Sequence, residues 1–308
     1  MFNGVLNIYK EKGYTSHDVV AKMRGILKQK KIGHTGTLDP DAEGVLPVCL
    51  GQATKLCDML VEHEKTYRAV MLLGVETDTQ DISGTVLARK EVTCEAEWIE
   101  KTVSGYIGGY EQVPPMYSAL KVDGKRLYEL ARQGKVVERK ARQVTIYDIK
   151  IEKIEMPRVT MTVRCSKGTY IRTLCHDIGQ KLGCGGCMES LVRTRTGRFE
   201  IQDSIRLSQL ERIRDEGRLE EILIPVEKMF SQYPGVYVKE EWDKLAWNGN
   251  PVELRMVEPK EALPREVGMK CRVYDSGKHF LGIYGLEGDR LKVWKMFREA
   301  ECLRNEDS

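Results

Sequence analysis

The sequence predicts a mixed α/β chain that ends in a small β-barrel, and three observations carry that reading. Helix-spaced and strand-spaced apolar runs alternate through most of the chain. Past Pro225 and Pro234 the texture changes to short strand-like pieces separated by turns. The length of 308 residues, 41% of them hydrophobic, suits two domains with a sizeable core.

The elements follow in order. Val5 to Tyr9 reads as a short strand. Ser16 is placed as the cap of a helix whose apolar face is Val19, Val20, Met23, Ile26 and Leu27. A loop from Gly33 to Gly44 holds three glycines and Pro40. Thr66 to Leu73 reads as a strand, and Trp98, Ile99, Val103 and Tyr106 share helical spacing. Gly108 to Pro115 breaks the pattern. Lys125 to Arg132 looks helical and stops at Gly134, a C-cap residue. Val144 to Ile154 and Val159 to Cys165 read as strands, the second alternating apolar with polar. Tyr170 to Leu182 reads as a helix with Ile171, Leu174, Ile178 and Leu182 on one face, and Leu207 to Leu223 as an acidic helical segment. The last pieces are Val236 to Val238, Lys270 to Tyr274, Phe280 to Gly285 and Leu291 to Phe297. The turns Asp275-Ser276-Gly277 and Glu287-Gly288-Asp289 lie among them, as in a small barrel of roughly 70 residues.

The charge balance, 49 Lys+Arg against 46 Asp+Glu, is too even to announce a nucleic-acid partner. Its distribution says more. Lys22 to Lys31 carries five basic residues and no acid, and Lys121 to Arg142 is again basic. Nine scattered cysteines form no disulfide framework, the N-terminus lacks a signal-peptide pattern, and no apolar run reaches membrane length. A soluble protein of the reducing cytoplasm is expected. Cys184 and Cys187 form a CxxC, but no second ligand pair accompanies them at zinc spacing, so no metal is expected. His17, His63, His176 and His279 read as surface or structural residues.

The chemistry concentrates in Gly33-His34-Thr35-Gly36-Thr37-Leu38-Asp39-Pro40-Asp41-Ala42-Glu43-Gly44. Its glycines let the backbone take unusual angles and let a ligand approach. Pro40 biases Asp39 towards extended geometry. A carboxylate with a pKa of about 4 is ionised at neutral pH and can serve as base or nucleophile. Composition alone favours an ordinary hydrogen-bonded turn over catalysis. The Walker pattern is absent, and spacing does not choose among Asp39, Asp41 and Glu43.

GHTGTLDPDAEGVLPVCLGQATKL (33–56) resembles, almost residue for residue, the catalytic motif of the TruB family of pseudouridine synthases. GVLNIYKEKGYTS (4–16), KTYRAVMLLGVETDTQDISG (65–84), VPPMYSALKVDGKRLYEL (113–130), CSKGTYIRTLCHDIG (165–179) and LVRTRTG (191–197) resemble its other motifs, in the family's order. The tail resembles a PUA domain. The resemblance implies a pseudouridine synthase fold. That fold is a mixed, largely antiparallel sheet over residues 1–230 with an RNA-gripping insertion at about 110–143. A PUA-like barrel would follow over 231–308. It implies isomerisation of the T-loop uridine, position 55, of tRNA, with base flipping and without a cofactor, by a monomer that needs no protein partner or membrane.

Roles follow the resemblance residue by residue. Asp39 matches the catalytic aspartate, while Asp41 and Glu43 match turn positions. Tyr67 matches the tyrosine that stacks on the base; on strand grounds alone it is a core tyrosine. Tyr170 and Arg172 match KGTYIR, and Arg172 is expected to pair with Asp39 through its rigid donor fork. Leu191 matches a wall of the uracil pocket, His34 the residue that fills the vacated RNA loop, and Asp81 a position that helps hold that loop. Lys10 matches a supporting lysine. Glu11 stands where the family has proline, which changes only the detail of that turn. Guide-dependent relatives share the aspartate motif but lack the long insertion, so its presence, with Lys121, Lys125 and Arg126, favours stand-alone action. A non-enzymatic RNA-folding role alone would have no need of Asp39.

Overall fold

A computed structural model describes residues 1–61, 64–122, 124–258, 266 and 268–298. The chain enters through β1 (Gly4–Lys10) and α1 (Ser16–Leu27). The helix cap differs from the sequence reading. Thr15 is the N-cap: its hydroxyl accepts from Asp18 N at 3.0 Å, while the Asp18 carboxylate accepts from Thr15 N at 2.8 Å. This reciprocal capping box contributes about 1 kcal/mol. Ser16 is instead the first helical residue, buried, and its Oγ accepts from Leu38 N at 2.9 Å.

Next come β2 (Ile32–His34), β3 (Glu43–Leu50), the short α2 (Cys57–Val61) and β4 (Lys65–Leu73), whose inward residues alternate along the strand. A hairpin of β5 (Val75–Thr77) and β6 (Val86–Arg89) precedes α3 (Ala96–Ser104). In α3, Ile99 and Val103 are buried, Trp98 is exposed, and Tyr106 lies beyond the end. The glycine-marked break at 108 is a strand after all, β7 (Gly108–Gln112). It pairs antiparallel with β10, so long-range pairing overrides the weak strand propensity of two glycines. The insertion between these paired strands carries β8 (Lys121–Val122), β9 (Lys125–Arg126) and α4 (Leu127–Arg132) around a small cluster of Met116, Leu127 and Leu130.

The sheet continues with β10 (Arg142–Glu155) and β11 (Arg158–Cys165), then α5 (Ile171–Lys181), β12 (Gly186–Thr196) and β13 (Phe199–Glu200). The order β1-β3-β12-β4-β11-β10-β7 is antiparallel at every step except β3–β12, which is parallel. The acidic segment is two helices rather than one, α6 (Leu207–Asp215) and α7 (Leu219–Ile222). Gly217, at φ +71°, divides them. α3 and α5 cover one half of the sheet, and α1, α6 and α7 cover β1 and β3.

The C-terminal part holds β14 (Gly235–Val238), α8 (Asp243–Trp247), β15 (Val252–Glu253), β16 (Val257–Glu258), β17 (Lys270–Tyr274), β18 (Phe280–Glu287) and β19 (Arg290–Met296). They form a six-stranded, barrel-like sheet in the order β15-β19-β18-β17-β14-β16. Ile283 and Phe297 pack with Val5, Val45 and Phe230, joining this sheet to the reverse side of β1 and β3. Among the described residues no helix is long and apolar enough to cross a membrane. His63 and the acidic C-terminus lie outside the described residues.

Candidate active site

The loop between β2 and β3 is pinned from beneath by backbone contacts. Ser16 holds Leu38 N. Gly13 N donates to Pro40 O at 3.0 Å, and Ala42 N closes a turn on Asp39 O at 3.1 Å. The fully buried Lys10 donates its Nζ to Pro40 O at 3.0 Å and Ala42 O at 2.6 Å. Burial lowers the Lys10 pKa to about 8 despite the nearby acids Asp39, Glu43 and Asp41. Gly44 takes φ +104°, and a Cβ there would meet Arg193 O at 2.2 Å, so only glycine lets the loop close onto β12. The Glu11 side chain turns outward to an ion pair with Arg206 at 2.5 Å.

This scaffold presents Asp39 to Arg172. Arg172, in the first turn of α5 and with a side chain only 5% exposed, sets its Nε 2.9 Å from Asp39 Oδ2. Its Nη2 donates to Asp39 Oδ1 at 3.3 Å and to Tyr117 O at 2.8 Å. Its Nη1 donates to Thr79 O at 3.1 Å and to Asp81 Oδ2 at 3.4 Å. One guanidinium thus ties the Asp39 loop, the β5–β6 hairpin and the base of the insertion together. The Asp39 side chain stays 39% exposed. Desolvation nonetheless raises its pKa and Asp81 adds to the rise; Arg172 and Lys10 oppose it.

Tyr67 on β4 is buried, and burial pushes its hydroxyl up to about 12. Leu191 on β12 lies opposite Ala69 and shares a core cluster with Tyr67, Leu38 and Ala42. Tyr170 is the N-cap of α5, and the Gln112 amide grips its backbone from both sides, Nε2 to Tyr170 O at 3.0 Å and Tyr170 N to Oε1 at 2.7 Å. Burial raises the pKa of the Tyr170 hydroxyl; Ser118 and Arg172 oppose the rise and Asp39 adds to it. His34 ends β2 with its Nδ1 3.1 Å from Gly36 O. Burial lowers its pKa, against the hydrogen bond to Gly36 O.

Of the five residues expected to meet, Asp39 and Arg172 are in direct contact, Tyr170 caps the helix whose first turn carries Arg172, and Tyr67 and Leu191 pack in one cluster with Leu38 and Ala42 of the Asp39 loop. Asp81 is engaged within the protein: besides Arg172, its Oδ1 accepts from Thr79 Oγ1 at 2.8 Å and Ser83 Oγ at 2.5 Å. Among the described residues no His, Cys, Asp and Glu group could hold a metal ion.

Two residues escaped the sequence reading. Gln112 is hidden because its partner lies 58 residues away. Arg193 is fully buried beneath the loop with its Nε donating to Val45 O at 2.7 Å. A period-two reading would have found it, since it shares a strand face with Leu191.

A family model described as "TruB family pseudouridylate synthase (N terminal domain)" matches residues 24–171, and "tRNA pseudouridylate synthase B C-terminal domain" matches 172–231. The "tRNA pseudouridine synthase B" of Lachnoclostridium phytofermentans is 53% identical over 294 residues, covering 92% of this chain and 94% of that protein. The chain belongs to the TruB family of pseudouridylate synthases. These TruB-family enzymes are isomerases. The protein of the same name from Alkaliphilus oremlandii is 50% identical, covering 91% of this chain and 92% of its own. A solved Cbf5-Nop10-Gar1 complex contains a chain similar to this TruB-family member at 27% identity, with a TM-score of 0.71 and coverage of 97% and 86%. The fold is accordingly the pseudouridine synthase fold, with a PUA-like C-terminal sheet.

Proposed function

We propose that this chain converts the T-loop uridine of tRNA, position 55, to pseudouridine. The relatives' names supply tRNA as the substrate class. The observation that carries the chemistry is the Asp39 carboxylate held at 2.9 Å by Arg172, on a loop whose Leu38 and Ala42 pack with Tyr67 and Leu191. The base is extruded from the RNA, at a cost of a few kcal/mol. His34 fills the vacated space, and Tyr67 stacks on the flipped uracil. Asp39 attacks the sugar or the ring, or stabilises the detached base. The N1–C1′ bond breaks, the ring turns, a C5–C1′ bond forms, and the C5 proton is exchanged for one on N1. The atoms balance without a cofactor.

Residues 1–230 form the catalytic unit in this reading and 231–308 a second RNA-binding surface. The enzyme acts alone, as a cytoplasmic monomer. The similarity to the Cbf5 complex raises a guide-dependent reading. The insertion with exposed Lys121, Lys125 and Arg126 favours direct grip on the RNA instead.

The test is pseudouridine formation in an unmodified tRNA transcript, mapped to the nucleotide, with wild type beside Asp39→Ala. Product at the T-loop uridine from wild type only is the expected result. RNA bound by both proteins but modified by neither would overturn the reading.

A further inference from the structure

Arg193 occupies a position that ordinary packing does not explain. It is the largest fully buried side chain among the described residues, and it is charged. Burying an arginine without a carboxylate is unfavourable by several kcal/mol. None of the ion pairs among the described residues involves it, and its Nη2 has no hydrogen-bond partner. A fold under no other constraint would place leucine or methionine here.

Its neighbours indicate what the constraint is. In the β12–β4 register Arg193 stands directly opposite Tyr67, and in the β12–β3 register next to it stands Gly44, the end of the catalytic loop. Residues directly opposite on adjacent strands project to the same face. A register shift follows at once, between Arg193 and Arg195, and such bulges re-aim the side chains beside them. The Nη1 lies 3.9 Å from where a Cβ on Gly36 would sit, so the guanidinium runs under the loop that carries Asp39. The bond from Nε to Val45 O fixes its plane.

We propose that Arg193 is a positioning residue for the pseudouridylation reaction: its guanidinium donates to the Tyr67 hydroxyl from below and holds the ring at the height where it meets the base. The inference rests on the reading of Tyr67 given above. Burial pushes the Tyr67 hydroxyl up, and of the groups that act on it, Arg193 on β12, Cys165 on β11 and Asp39 on the loop, only Arg193 can donate as a cation. Conversely, Tyr67 is the group that favours the charged form of Arg193 against desolvation. A donor on the phenol oxygen leaves the hydroxyl hydrogen free to turn away from Arg193.

A double-mutant cycle on intact protein with tRNA transcript tests this, reading kcat, KM and RNA affinity for wild type, Arg193→Met, Tyr67→Phe and the double variant. Arg193→Met is expected to lower kcat about tenfold or more, with RNA affinity within about twofold of wild type, because only the alignment changes. In the Tyr67→Phe background the same change should add little, since the pair acts as a unit. Arg193→Lys, which keeps a donor, should recover part of the rate. A loss of equal factor in both backgrounds overturns the proposal, as does Arg193→Met at wild-type kcat. If Arg193→Met gives no cooperative melt, Arg193→Lys is carried through the same cycle under the same criterion. Tyr67→Phe at wild-type rate would remove the role of Tyr67 itself. An inactive wild type would instead overturn the reaction assignment.

Discussion

The Lys10 ammonium donates to the Ala42 carbonyl at 2.6 Å, and with the bond to Pro40 O it ties the first strand to the turn that presents Asp39. Lys10→Met removes a charged donor and leaves buried carbonyls unpaired, at about 2 kcal/mol of stability. Activity should fall together with the melting temperature.

The same lysine predicts a pH effect. Its folded pKa of about 8 lies below the ordinary 10.5. Between those values the unfolded chain keeps a proton that the folded chain has released, so stability rises with pH across this window. Denaturant melts of wild type against Lys10→Met should show the difference shifting in favour of wild type above pH 8. A difference that stays constant to pH 10 would remove the assignment.

Asp39 carries the opposite sign. Its folded pKa lies above the ordinary 3.8, because burial disfavours the carboxylate. The folded state then holds more proton than the unfolded one above 3.8, and stability falls as pH rises through the window. Asp39→Asn should abolish turnover yet melt at or above the wild-type temperature at neutral pH. The acid limb of the wild-type rate profile should lie above 3.8. A marked drop in melting temperature would assign Asp39 a structural role instead.

Arg172→Lys replaces a planar fork with a point charge. One ammonium cannot span Asp39, Asp81, Thr79 O and Tyr117 O together. Misplacing the carboxylate should cut kcat roughly 100-fold with RNA affinity retained. A change confined to KM would argue that Arg172 serves binding.

The insertion is tested by salt. Lys121 and Lys125 are exposed. The slope of log affinity against log salt for tRNA should fall by about one for each phosphate that is no longer neutralised. A Lys121→Ala/Lys125→Ala variant with an unchanged slope would take these residues off the RNA.

Periodicity made most elements legible. β4, β11 and α5 carry clean alternation or helical spacing, so their bounds moved by only a residue or two. The misreadings have local causes. Thr15 and Ser16 are both able to cap, and the choice went to Thr15 because Leu38 claims the Ser16 hydroxyl. Gly108 and Gly109 signal a break, yet β10 supplies the hydrogen bonds that make them a strand. The acidic run looked continuous because charge pattern masked the stop at Gly217.

The sequence by itself determined the order of elements, the loop that carries the carboxylate, and the family through motifs in series. Local propensity and spacing are short-range properties, and each is written into consecutive residues. Tertiary structure alone decided which polar groups meet. Arg172 reaches Asp39 across 133 residues of chain and Asp81 across 91. Lys10 and Arg193 became fully buried cations beneath one loop. Desolvation and charge pairing depend on what the folded chain packs around a group, and no local pattern encodes that.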